Sequence, residues 1–238
     1  MKGVILAGGT GTRLRPLTNL MNKHLLPVGR FPMIHYGIKK MADAGIKNIL
    51  LVIGKQSAGL YLDYLGSGKE FGVRLTYKLQ DQAGGIAEAL SLASEFISTG
   101  EKFVVLLGDN LFNDSLLPYV KEFHEQPQGA KVLLKQVPDP RRYGVPIIKG
   151  TRITTIIEKP QDPPTSYCVT GIYMYDSQVF ELVDKIHPSS RGELEITDVN
   201  NLFAAMGTLT YNVLSGWWMD AGTLESLHEA GSKLLHGE

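Results

Sequence analysis

Cysteine is nearly missing from this 238-residue chain, where Cys168 stands alone. One cysteine excludes an intrachain disulfide and any zinc site built on several thiolates, and its apolar neighbours read as the setting of a buried, inert thiol. Net charge is missing too, because 24 Lys and Arg balance 24 Asp and Glu. Without a basic excess there is no broad electrostatic footprint for nucleic acid, although a local cationic site stays open. No apolar run reaches the ~20 residues that cross a bilayer, and the N-terminus lacks the charged region and long apolar core of a secretion signal. A soluble, cytoplasmic protein without nucleic-acid or membrane partners is expected. Repeats and low-complexity segments are absent, and the Pro-rich stretch 159–165 is too short for a domain linker.

What is present is a hydrophobic share of 43%, ordinary for a globular chain long enough to bury a sizeable core. Residues 2–7 read as a short buried strand. In "MIHYGIKKMADAG", Ile34, Ile38 and Met41 form a helical stripe that ends at Gly45. Residues 48–53, 73–78 and 102–107 read as strands, with helices predicted over 57–65 and 86–97. Nearly continuous apolar strands alternating with helices imply a parallel sheet covered on both faces. After about Gly129, four strand-like runs follow without long helices between them: "AKVLLKQV", "GVPIIK", "RITTIIEK" and "YCVTGIYMYD". Helical pattern returns at 178–186, 196–206 and 223–235. The expectation is a single α/β domain spanning 1–238, with a nucleotide-binding half at 1–129 and a more antiparallel, substrate-holding half at 130–238.

The densest signal is "LAGGTGTRL", Leu6 to Leu14. Its glycines fall where the first strand gives way to a loop, and there they let a ligand approach the main-chain N–H groups. Such groups near a helix start favour phosphate. Neither the P-loop pattern nor the dinucleotide fingerprint fits, since Leu14 stands where the latter needs its last glycine. The glycines also suit a bare strand-to-helix turn; Arg13, a guanidinium beside a bed of donors, favours a polyphosphate. Asp109 leaves the strand 102–107 at the end where α/β sheets bind ligands. It reads equally as a Mg²⁺ carboxylate or as a turn or helix cap. Lys23 by itself reads as a surface charge. The pair Glu158 and Lys159 suits a sugar hydroxyl and a phosphate, or a solvated strand end. Asp220, in "WWMDAGT", is either a second metal carboxylate or a cap for the following helix.

Taken in order, "LAGGTGTRLRPLT", "NKHLLPVGRFPMI", "GGIAEAL", "LLGDN", "YGV", "EKP", "VTGIYMYD", "RGELEITDVN" and "WWMDAGT" resemble the sugar-1-phosphate nucleotidyltransferases from Lys2 to about Glu229. "RGELEITDVN" and "VTGIYMYD" point to the branch that transfers thymidylyl groups to glucose 1-phosphate. The resemblance implies a Rossmann-like, mostly parallel mixed sheet flanked by helices, with a smaller antiparallel sugar-binding portion. It also implies dTTP and glucose 1-phosphate as substrates, Mg²⁺ as cofactor, a homo-oligomer, and the first step of dTDP-rhamnose-type deoxysugar synthesis. By the same resemblance Leu6, Gly8, Gly9, Gly11 and Thr12 line the nucleotide, and Gln80 and Gly85 read its base. Arg13 serves the departing pyrophosphate and Lys23 the α-phosphate; both are the catalytic cations. Asp109 and Asp220 hold Mg²⁺, and Gly144, Glu158, Lys159, Val169 and Tyr173 form the sugar-phosphate pocket. The chain departs from the family's usual residues at His24, at Phe31, around Ala83 and Gly84, and at Glu88. Use of UTP, CTP or ATP, or of another sugar 1-phosphate, is the alternative within the same chemistry. A non-catalytic subunit that binds nucleotide sugars is the alternative outside it.

Overall fold

The computed structural model describes residues 1–236. In chain order the first half carries β1 (Lys2–Ala7), β2 (Pro27–Val28), β3 (Phe31–Pro32), α1 (Met33–Asp43), β4 (Asn48–Gly54), α2 (Ala58–Leu65), β5 (Arg74–Gln80), α3 (Ile86–Ser91), β6 (Lys102–Leu107), β7 (Asn110–Phe112) and α4 (Leu117–Glu125). There follow β8 (Ala130–Gln136), β9 (Gly144–Lys149), β10 (Arg152–Glu158), β11 (Tyr167–Asp176), α5 (Val179–Val183), α6 (Ile196–Ala205), β12 (Leu209–Val213), β13 (Trp218–Asp220) and α7 (Leu224–His236).

Seven strands form one sheet in the order β12-β8-β11-β6-β1-β4-β5. Only β11 runs against its neighbours, β6 and β8; the pairs β1–β4, β1–β6, β4–β5 and β8–β12 are all parallel. The second half is the more antiparallel one, as its run of strands implied: β11 runs against β6 and β8, β10 against β9 and β13 against β7, while β8 and β12 pair in parallel. That half adds β8, β11 and β12 to the sheet that the first half began, and sets aside the β9–β10 hairpin and β13, which pairs with β7, as antiparallel satellites. Alternation along the strands explains the layering. Val4 and Leu6 of β1 enter a core with Val105, Val132, Val199 and Phe203, while Ile5 and Ala7 enter the opposite one with Ile38, Leu51 and Leu106. Both faces are covered, so the central strands are apolar throughout.

Helix α1 ends as its stripe predicts, with Gly45 in the left-handed region at φ 81°. The helix predicted over 86–97 stops sooner, at Ser91. Beyond it, Ala93 and Ser94 donate to carbonyls three residues back, and Ala93 and Ile97 remain buried. Tightened turns have nearly the same apolar spacing as a helix, which is why periodicity alone extended the element. No helix among the described residues is long and apolar enough to cross a membrane.

Candidate active site

The chain runs outward from β1 through β4 to β5, then returns to place β6 on the other side of β1. That reversal opens a crevice at the carboxyl ends of β1 and β6. The glycine loop leaves β1 there, and Gly108 and Asp109 leave β6 there, with the Gly108 N–H donating to the Leu6 carbonyl at 2.9 Å.

Two adjoining clefts occupy this edge. One, of about 690 Å³, is lined by Leu6, Gly8, Gly9, Lys23, Gln80 and Gly85, among others. The other, of about 860 Å³, is lined by Arg13, Gly144, Glu158, Lys159, Val169, Tyr173 and Asp220, among others. Asp109, Leu107, Ile86 and Glu193 border both. The residues assigned by resemblance to nucleotide and to sugar phosphate thus fall on opposite sides of Asp109, with Arg13 on the sugar-side wall. Gly11 and Thr12 lie outside both linings. Gly11, at φ 68°, begins a single 3₁₀ turn, Thr12–Leu14, where an α-helix start was expected. An anion at this loop would have to be held by the loop's own N–H groups, because one turn has little macrodipole.

Lys23 is not the surface charge its sequence context implied. Its ammonium is largely buried and donates to Asp109 Oδ2. Burial opposes ionisation of Asp109, but Lys23 and His24 outweigh it and hold the carboxyl well below its usual range. Neither aspartate caps a helix. Asp220 lies opposite Asn110 in the β13–β7 pair, and the Ala221 N–H donates to the Asp109 carbonyl at 2.9 Å. The start of α7 is tied instead by Thr223 Oγ1, which accepts from the Ser226 N–H at 3.2 Å. Burial, reinforced by the nearby Asp109 charge, pushes the Asp220 carboxyl up to about 6. Arg13 Nη2 lies 3.8 Å from Asp220 Oδ2, and Asp220 Oδ1 is buried with no partner.

That orphaned oxygen, in a pair of acidic side chains facing a crevice, fits a hard divalent cation. No group of three or more His, Cys, Asp or Glu among the described residues could hold a metal. Two carboxylates nonetheless suffice for Mg²⁺, which keeps waters and takes substrate phosphates as its other ligands.

On the sugar side, β10 ends at Glu158, and Lys159 sits at φ 44°, rare for a residue with a side chain. The turn swings both side chains to one side, and Lys159 Nζ lies 3.1 Å from Glu158 Oε1. Thr197 Oγ1 donates to Glu158 Oε2 at 2.6 Å. Arg191 bridges Glu195 at 2.8 Å and Glu158 at 3.5 Å. Arg191, Glu195 and Thr197 all belong to "RGELEITDVN", which served in the sequence only as a family marker; their roles become visible once α6 packs on β10. Asn110 was also passed over. Its Oδ1 accepts from the Gly171 N–H at 2.7 Å and from Trp218 Nε1 at 2.8 Å, and its Nδ2 donates to Asp109 at 3.1 Å. His24 is buried, and burial, aided by the Lys23 charge, lowers it to about 3. It is a neutral packing group against Gly108, where an added Cβ would lie 2.8 Å from His24 Cδ2.

A family model described as nucleotidyl transferase matches residues 2–237. The chain belongs to this nucleotidyltransferase family. A glucose-1-phosphate thymidylyltransferase of Neisseria meningitidis serogroup A is 41% identical over 98% of this chain and 82% of its own length. A solved Bacillus anthracis structure containing sucrose, described as a candidate glucose-1-phosphate thymidylyltransferase, is 54% identical. It covers 99% of this chain and 95% of its own, with a TM-score of 0.95. A UDP-glucose pyrophosphorylase solved with UDP-glucose shares the fold at a TM-score of 0.88 and 24% identity.

Proposed function

We propose that this enzyme transfers a thymidylyl group from dTTP to α-D-glucose 1-phosphate, releasing pyrophosphate and giving dTDP-glucose. The observation that carries this reading is the pair of clefts meeting at Asp109, one beginning at a glycine loop and the other ending in a carboxylate–lysine pair. The names of the relatives support the choice of substrates.

The chemistry asks little of acid–base groups. The sugar phosphate already carries an anionic oxygen, which forms a new bond to the α-phosphorus as the bond to pyrophosphate breaks on the opposite side. What the site must do is hold two anions in line and absorb charge. The loop N–H groups and Lys23 meet the nucleotide phosphates, and Arg13 stands where pyrophosphate charge accumulates. To do so, Lys23 exchanges its Asp109 partner for the α-phosphate. Lys159 takes the sugar's phosphate and Glu158 its hydroxyls. Asp109 and Asp220 would hold Mg²⁺, which when bound adds positive charge beside the phosphates.

The test is pyrophosphate release from glucose 1-phosphate with dTTP, UTP, CTP and ATP in turn. The highest kcat/KM is expected with dTTP; turnover with ATP alone would overturn this function.

A further inference from the structure

The base end of the nucleotide cleft is walled by Gly8, Gln80, Ala83, Gly85, Ile86 and Ala89. Gln80 ends β5 and is buried, and its side-chain amide Nε2 donates to Glu88 Oε2 on the first turn of α3. The direction of this bond is fixed by chemistry. A carboxylate can only accept, so the Gln80 amide must turn its NH₂ toward Glu88. The carbonyl Oε1 is thereby aimed the other way, over Gly8. A Cβ built on Gly8 would lie 2.0 Å from it, so the oxygen occupies space that only a glycine leaves open. Glu88 itself is held in place: its stem lies under Gly84, where an added Cβ would be 3.1 Å from Glu88 Cγ.

We propose that Glu88 is a positioning residue that sets the base preference of the nucleotide cleft by locking the Gln80 amide with its oxygen toward the base. The proposal rests on the reading that Gln80 meets the base. An acceptor at that point pairs with the N3–H donor of thymine or uracil. Cytosine presents a bare acceptor at N3, so it would face Oε1 lone pair to lone pair. An amide free to rotate could instead offer its NH₂ to cytosine. Glutamine at position 88 would free it, because an amide there pairs with either orientation of Gln80.

The experiment measures kcat/KM for dTTP and for CTP with glucose 1-phosphate in the wild-type enzyme, in Glu88→Gln, in Gln80→Ala and in the exchanged pair Gln80→Glu with Glu88→Gln. Losses from general loosening affect both nucleotides and cancel in the dTTP/CTP ratio. The ratio should fall about tenfold or more in Glu88→Gln and recover in the exchanged pair, where a carboxylate at 80 restores an acceptor toward the base. Should Glu88→Gln be poorly folded, Glu88→Ala also frees the Gln80 amide, and a lowered ratio there supports the positioning role, whereas a wild-type ratio overturns it. A ratio unchanged in Glu88→Gln but reduced in Gln80→Ala overturns the positioning role and leaves base reading by Gln80 intact. A ratio unchanged in both variants overturns the base reading itself, and the proposal with it.

Discussion

Lys23 and Asp109, 86 residues apart, meet at the edge shared by the two clefts, with the Lys23 ammonium donating to Asp109 Oδ2. The contact puts a cation and an anion, both largely buried, at the point where the proposed function brings nucleotide and sugar phosphate together. In the free protein each neutralises the other. On the proposed function, the same charges would serve a phosphate and a metal ion once substrates bind.

Lys23→Ala and Arg13→Ala are therefore expected to lower kcat more than they raise the KM for glucose 1-phosphate. Their charges matter most as negative charge grows on the α-phosphate and pyrophosphate oxygens. Removing one such partner costs on the order of a hundredfold in kcat. Steady-state kinetics with each substrate varied in turn checks this. A near-normal kcat in either variant would remove that residue from the groups that act on the phosphates.

Asp220 carries a pH signature. Its carboxyl is raised to about 6 by burial and by Asp109, so in chelator the folded state resists ionising it. Below its unfolded pKa, near 4, both states are protonated and Asp220 contributes nothing. As pH rises from about 4 to 6, the unfolded chain ionises first and the folded state loses relative stability, by on the order of 2–3 kcal/mol. Above about 6 the penalty is constant. Asp220→Asn should accordingly be more stable than wild type at pH 7, with the difference vanishing near pH 4. Urea melts in excess chelator at a series of pH values measure it. Mg²⁺ should raise the wild-type Tm at pH 7 and leave that of Asp220→Asn nearly unmoved; equal shifts in both would remove Asp220 from the metal site.

The strands of the sheet centre were legible because β1, β4 and β6 are covered on both faces and so apolar along their whole length. Local signals also exposed α1, since its stripe and Gly45 agree. The candidate site was legible only in part. Glycines, Arg13 and the acid after β6 stand at strand ends, where position alone is informative. Glu158 and Thr197, by contrast, lie 39 residues apart and meet only because α6 packs against β10. No spacing rule could join them. Asn110 hid for another reason: in "GDN" an asparagine reads as a turn former, whereas here it is buried and spends its amide on three partners.

Asn110 gives a stability prediction that is independent of activity. Asn110→Ala strips the acceptor from the Gly171 N–H and from Trp218 Nε1, both of which are left inside the protein. Each unsatisfied buried donor costs about 1–3 kcal/mol, so a loss of about 3 kcal/mol is expected. Denaturant melts should show a lower midpoint at an unchanged slope. A loss below about 1 kcal/mol would mean that water replaces the amide there.

On the proposed function, the turn at Glu158 and Lys159 would separate recognition of phosphate from recognition of hydroxyls. Adjacent residues on a continuing strand would point to opposite faces; the positive φ of Lys159 breaks the strand and brings both groups to the sugar cleft, 3.1 Å apart. Lys159→Ala should raise the KM for every sugar 1-phosphate about equally, because the phosphate is common to all. Lys159→Gly removes the same charge but also relieves the left-handed backbone, so it should match the kinetics of Lys159→Ala while melting higher. Glu158→Gln should act differently. Thr197 can still donate to the new amide oxygen, but the other oxygen becomes an NH₂ that no longer accepts from Lys159 or Arg191 and instead donates. A site built to bond a hydroxyl rejects analogues that misplace it, so this change should blur the choice between glucose 1-phosphate and galactose 1-phosphate, moving the ratio of their kcat/KM values by about tenfold. An unchanged ratio would make Glu158 a strut for Arg191 and Thr197, and would leave sugar selectivity to Gly144, Val169 and Tyr173.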